Sequence, residues 1–120
     1  ASKLATAFSG EVSLHPRAHS EFLRGLDYAL GPAQEIVVVG KREAADTRKL
    51  LAALRGMYLP HSPVHLKPED EPAAARALEH LVPFTKEMDV GGGRAAAYVC
   101  SRGACLRPFR SPAELREALK

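Results

Sequence analysis

The apolar positions of the chain change their period several times, and each change marks an element. From Pro16 to Leu30 the apolar residues Ala18, Phe22, Leu23, Leu26, Ala29 and Leu30 recur at helical spacing on one face. Pro16 suits a first turn and Gly31-Pro32 a stop, so the spacing predicts an amphipathic helix over this stretch. Ile36-Val37-Val38-Val39 then forms an unbroken β-branched run within Glu35–Val39, the pattern of a central strand covered on both faces. It ends at Gly40. A helix over Ala44–Leu54 follows, with Leu50, Leu51 and Leu54 on its buried side, Arg55 in the last turn and Gly56 as its cap. In Ser62–Lys67 the period returns to two, Val64 and Leu66 alternating with His65 and Lys67. Strand, helix and strand in this order read as a right-handed βαβ unit.

The second half carries a third helix opened by Pro72, with Asp70 and Glu71 before it and Ala74, Leu78 and Leu81 as its apolar side. Pro83 ends it, and a loop from Phe84 to Gly93 closes on Gly91-Gly92-Gly93, where flexibility is the expectation. Two short apolar runs within Arg94–Phe109 flank Ser101-Arg102-Gly103-Ala104, a hairpin signature with a four-residue loop. Ser111-Pro112-Ala113-Glu114 reads as a capping box opening a last short helix packed by Leu115 and Leu119. Residues 1–14 carry the weakest pattern; Leu4, Ala5, Ala7 and Phe8 suit a helix remnant ending at Ser9-Gly10.

A βαβ unit followed by ββα, with a helix between, is the core order of a small mixed α/β sheet of the thioredoxin-like kind, with Pro108 tolerable on an edge strand. A Rossmann-like sheet with an antiparallel edge hairpin is the alternative. In a thioredoxin-like core the redox site belongs at the first strand-to-helix turn, where a helix N-terminus lowers a thiol pKa. That turn reads Gly40-Lys41-Arg42-Glu43 and holds no cysteine. Gly93-Arg94-Ala95 stands where a proline would precede the hairpin strand.

Composition narrows the function classes. At 120 residues, 46% hydrophobic and 26% charged, the chain suits one ordinary globular domain. Seventeen basic and 14 acidic residues leave a net charge of +3, with signs alternating along the chain and no tryptophan, which disfavours nucleic acid as a partner. No apolar run approaches the roughly 20 residues that span a bilayer, so no membrane partner is expected. Two cysteines cannot build a disulfide scaffold, and a reducing cytoplasm is the expected compartment. His15 and His19 have metal-ligand spacing but no third ligand nearby, and read as helix-surface residues; no metal or cofactor is implied.

Two candidate sites remain. Gly40, Lys41 and Arg42, at a helix N-terminus after a central strand, form an anion-binding candidate, although the upstream glycine and following Ser or Thr of a phosphate loop are missing. The Gly91–Gly93 loop is a weaker ligand candidate. Cys100 and Cys105, at the shoulders of the hairpin loop, are the redox candidate. Directly opposed residues of an antiparallel pair lie roughly 4.5–5.5 Å apart at Cα, which a disulfide allows. Reduced thiols packed as small hydrophobes are the first reading, a structural or regulatory disulfide the second and a catalytic pair the third.

Glu35-Ile-Val-Val-Val-Gly40, Leu50-Leu51 through Tyr58-Leu59-Pro60, Pro83-Phe84 with Lys86, Tyr98-Val99-Cys100-x4-Cys105-x2-Pro108 and the Glu114-Leu115 helix together resemble the C-terminal region of a known family. That family is the spermatogenesis-associated thioredoxin-domain proteins and their bacterial YyaL-like relatives, and the resemblance covers most of residues 16–119. It implies a three-part protein: a thioredoxin-like domain with a Cys-x-x-Cys-type site, an α/α toroid, and a C-terminal α/β region. By this resemblance residues 1–30 are a helical lead-in from the toroid and 31–120 the C-terminal α/β domain, whose partners are the preceding domains of the same chain and further proteins. The cysteines of the thioredoxin domain have no counterpart here. The expected function is therefore a non-catalytic accessory or interaction domain at the C-terminus of a larger protein, with no catalytic residues of its own.

Overall fold

The computed structural model describes residues 2–120 and divides into two compact units, Ala1–Ala33 and Gln34–Lys120. The first is helical. Helix α1 spans Ser2–Leu14, a single 3-10 turn covers Pro16–His19, and α2 spans Ser20–Leu30. The remnant expected to stop at Ser9-Gly10 instead continues to Leu14; nothing crowds Gly10, and the Thr6 and Ser13 hydroxyls donate to carbonyls four residues back. The helix expected from Pro16 starts as the tighter 3-10 form. Phe8 and Phe22 meet at a centroid distance of 6.0 Å, and Val12 is the buried residue of this unit.

The second unit is a four-stranded mixed sheet with helices. Strand β1 is Glu35–Gly40, helix α3 Ala45–Arg55, β2 Val64–Pro68, α4 Pro72–Leu81, β3 Ala96–Ser101, β4 Ala104–Cys105 and α5 Pro112–Ala118. The strand order is β2-β1-β3-β4, with β1 parallel to β2 and antiparallel to β3, and β3 antiparallel to β4. One reversed strand inside this order is consistent with a small thioredoxin-like fold, and places β1 centrally as its β-branched run requires.

The pleat of β1 sends its residues to two cores. Ile36 and Val38 join Leu50 and Leu54 of α3, Ala97 and Val99 of β3, Leu115 of α5, and Phe109, which bridges to Ala97 ahead of that helix. Val37 and Val39 face the other way, with Met88 and Cys100. All four β-branched residues have no exposed surface, which explains a run without alternation.

Local details differ from expectation where tertiary contacts intervene. Phe84 does not begin a plain loop, since Pro83–Glu87 forms a 3-10 turn. Leu81, expected on the buried side of α4, is 78% exposed. The Ser111 side chain makes no cap bond to α5; its partner in the expected box, Glu114, lies 3.6 Å from Arg107 instead. Ser101 and Ala104 pair with each other, so the hairpin loop is only Arg102-Gly103. Both residues have positive φ, 51° and 81°, as a type I′ turn demands.

Candidate functional site

The turn after β1 is the place where α/β folds gather ligands, and here it is occupied by side chains of the chain itself. Gly40 is the hinge of the arrangement. A Cβ on it would fall on the Thr47 hydroxyl and 2.9 Å from Ala95 Cβ, so only glycine lets β1, α3 and the start of β3 come this close. Thr47 is fully buried, and its hydroxyl has no hydrogen-bond partner among the described residues.

Asp46 stands in the first turn of α3. One carboxylate oxygen accepts the Thr47 backbone N–H at 2.9 Å, and the other accepts the Ala95 N–H at 2.8 Å. The Ala95 bond, helped by the Thr47 N–H and the Arg94 charge, holds the Asp46 carboxyl below its ordinary value.

Arg42, an anion-binding candidate, already holds anions. Its guanidinium donates through Nε and Nη2 to the two oxygens of Glu71, the latter at 3.0 Å, and its backbone N–H donates to Asp70 Oδ1 at 3.0 Å. This fork raises the Arg42 pKa and lowers that of Glu71. Asp70 and Glu71 looked like dipole partners for α4 in the sequence; in the fold they close the β1–α3 turn. Lys41 beside them is exposed. An external anion at Gly40, Lys41 and Arg42 has to displace two carboxylates that are covalently part of the same chain.

The redox candidate lies at the other end of β1. Glu35, its first residue, pairs with Cys100, whereas Val39, before the turn, pairs with Ala96. The structure therefore does not bring the two candidate sites together. Cys100 and Cys105 are directly opposed across β3 and β4 and are joined as a disulfide, with Cα atoms 3.9 Å apart. The pair is asymmetric: Cys100 is 3% exposed within the second core, while Cys105 lies exposed on the edge strand. Reduced packed thiols were the first expectation, and the oxidised pair is what the structure contains.

Sequence reasoning missed a second polar centre. Lys67 is buried, and its ammonium donates to the carbonyls of Thr85 at 2.8 Å, Met88 at 2.9 Å and Lys86 at 3.3 Å, with Glu79 Oε1 at 2.8 Å. It fastens the 3-10 turn and α4 to β2. The alternation in β2 placed Lys67 on the face opposite Leu66, but nothing local marked that face as covered.

The glycine loop is also held. Tyr98 donates its hydroxyl proton to the Asp89 carbonyl at 2.7 Å, and Arg110 Nη2 donates to Val90 and Gly91 carbonyls at 3.1 and 2.6 Å. Gly91, Gly92 and Gly93 all have positive φ, so the run is a conformational requirement rather than the flexible spacer expected. Among the described residues no group of three or more His, Cys, Asp or Glu side chains could hold a metal, and no described helix is long and apolar enough to cross a membrane.

No family model matches the chain, and no solved structure matches it. Human spermatogenesis-associated protein 20 is 33% identical over 116 residues, covering 97% of this chain and 14% of the human protein. The proteins of the same name from rat and mouse are each 31% identical over 116 residues, again with 97% and 14% covered. The chain thus spans about one seventh of the length of the curated relatives it matches. These matches bear out the resemblance seen in the sequence: the chain is similar to one part of spermatogenesis-associated protein 20 and fits a C-terminal domain of a larger protein.

Proposed function

We propose that the chain is a non-catalytic accessory domain that packs against the other domains of a larger protein and recruits protein partners to it. One observation carries this reading. The strand-to-helix turn, where a thioredoxin-like fold places its chemistry, is closed by Asp46 on Ala95 and by Asp70 and Glu71 on Arg42. Its polar groups serve the fold. The helical unit supports the same reading, since α1 and α2 leave an apolar cleft of about 640 Å³ lined by Leu4, Ala5, Phe22, Leu26 and Leu30. A helix of the longer protein is the proposed cover for it. The test is turnover of a protein disulfide substrate with a small-thiol reductant; the accessory reading expects none above the rate of the reductant alone, and sustained turnover overturns it.

The Cys100–Cys105 bond favours a second reading, a reversible disulfide in a reducing cytoplasm. A small-molecule thiolate would attack the exposed Cys105 sulfur, the S–S bond would break with Cys100 leaving as thiolate, and a second thiol would resolve the mixed disulfide. Two electrons pass from two small thiols to the pair. Thiol counts on folded protein across defined redox potentials test this: a midpoint within the cytosolic range supports a switch, and one far outside it leaves a plain staple.

A further inference from the structure

The outer side of α3 and the edge of β2 share a furrow that the contacts above leave unused. Its floor is Leu51, Leu54, Met57, Leu59 and Val64, and the part beside β2 has a volume of about 380 Å³. Leu51 and Arg55 continue it along α3 into a second stretch of about 480 Å³.

The rim is basic. Arg48, Lys49 and Arg55 border the furrow, and the single carboxylate among its lining residues is Glu43, 3.8 Å from Arg48. Tyr58, between two floor residues in sequence, is 91% exposed. A solvent-facing tyrosine and arginines around an apolar floor have the composition of a binding hot spot. The β2 edge adds backbone groups. Ile36 N–H bonds Pro63 O and Glu69 N–H bonds Gly40 O, so by parallel alternation Val64 and Leu66 turn their N–H and C=O away from β1. No strand pairs with that edge among the described residues.

We propose that this furrow binds an extended acidic segment of a partner protein. Its apolar side chains would fill the Leu51–Val64 floor, and its carboxylates would face Arg48, Lys49 and Arg55. Charge complementarity selects this occupant: three cations against one carboxylate favour an acidic ligand and oppose a basic one. The inference rests on the reading of the chain as an interaction domain and names the surface and the partner chemistry.

The test uses the whole chain and two synthetic 12-residue peptides, one alternating Glu with Leu and Phe, the other with Lys in place of every Glu. Fluorescence anisotropy and amide chemical shifts are recorded together. The acidic peptide is expected to bind, to weaken as salt rises, and to move amides in α3 and in residues 57–66. Arg55→Glu and Tyr58→Ala are each expected to weaken binding at least tenfold. Arg76→Glu, the same charge change on exposed α4, is expected to leave affinity within twofold. Equal binding of the lysine peptide, equal loss in Arg76→Glu, or self-association of the chain through the furrow without peptide binding each overturns the proposal. None of these outcomes bears on the accessory reading, which is decided by disulfide turnover.

Discussion

The Asp46 carboxylate accepts the backbone N–H of Ala95 at 2.8 Å, tying the first turn of α3 to the start of β3 across 49 positions of sequence. The bond fixes the closed turn that Gly40 permits, and it makes the fold sensitive to acid. Because the folded carboxyl titrates below its ordinary 3.8, its contribution is complete above that pH and drains away as pH falls through the lower folded value. Asp46→Asn is expected to flatten this acid limb, and Asp46→Ala to cost about 1–2 kcal/mol at neutral pH. Urea unfolding followed by circular dichroism between pH 2 and 7 measures both.

Lys67 is the larger single contribution. Lys67→Met removes the ammonium from three carbonyls and from Glu79, which is itself only 22% exposed. The expected loss is about 3 kcal/mol, since partners left buried without a donor keep their desolvation cost. Amide hydrogen exchange should localise the loosening to α4 and residues 83–88, whereas exchange in β3 changes less.

The hairpin staple is weaker. Closing the short loop between Cys100 and Cys105 contributes about 2 kcal/mol through the unfolded chain. Adding dithiothreitol is expected to lower the unfolding free energy by that amount, and the Cys100→Ala/Cys105→Ala chain to become insensitive to reductant. A reductant effect that persists in the double variant would contradict the assignment.

Arg102 occupies the left-handed region at φ 51°, the one described non-glycine residue with positive φ. A type I′ turn prefers asparagine at its first central position, so Arg102→Asn is expected to stabilise the protein by about 0.5–1 kcal/mol. Differential scanning calorimetry checks this as a rise in Tm.

Much of the fold was legible locally. The β-branched run at Ile36–Val39 announced a covered central strand, Leu50 and Leu54 announced the helix face that covers it, and Pro72 and Pro112 marked helix starts that the structure keeps within a residue. These signals are periodic or steric and act over a few residues. The capping box at Ser111 and the four-residue hairpin loop misled for the complementary reason: a motif permits a bond that neighbouring groups then claim or leave unmade, as Arg107 claims Glu114.

The sequence by itself determined the mixed α/β order, the placement of β1 at the centre, the resemblance to one part of a larger protein and the two cysteines as a facing pair. Only the tertiary structure decided what the polar groups do. Arg42 meets Glu71 across 29 positions, Asp46 meets Ala95 across 49, and Lys67 meets Met88 across 21. No local period encodes such pairs, because each exists only after the sheet has assembled and brought distant segments side by side. The hydrophobic pattern specifies which faces meet; the meeting itself selects which charges end up opposite one another.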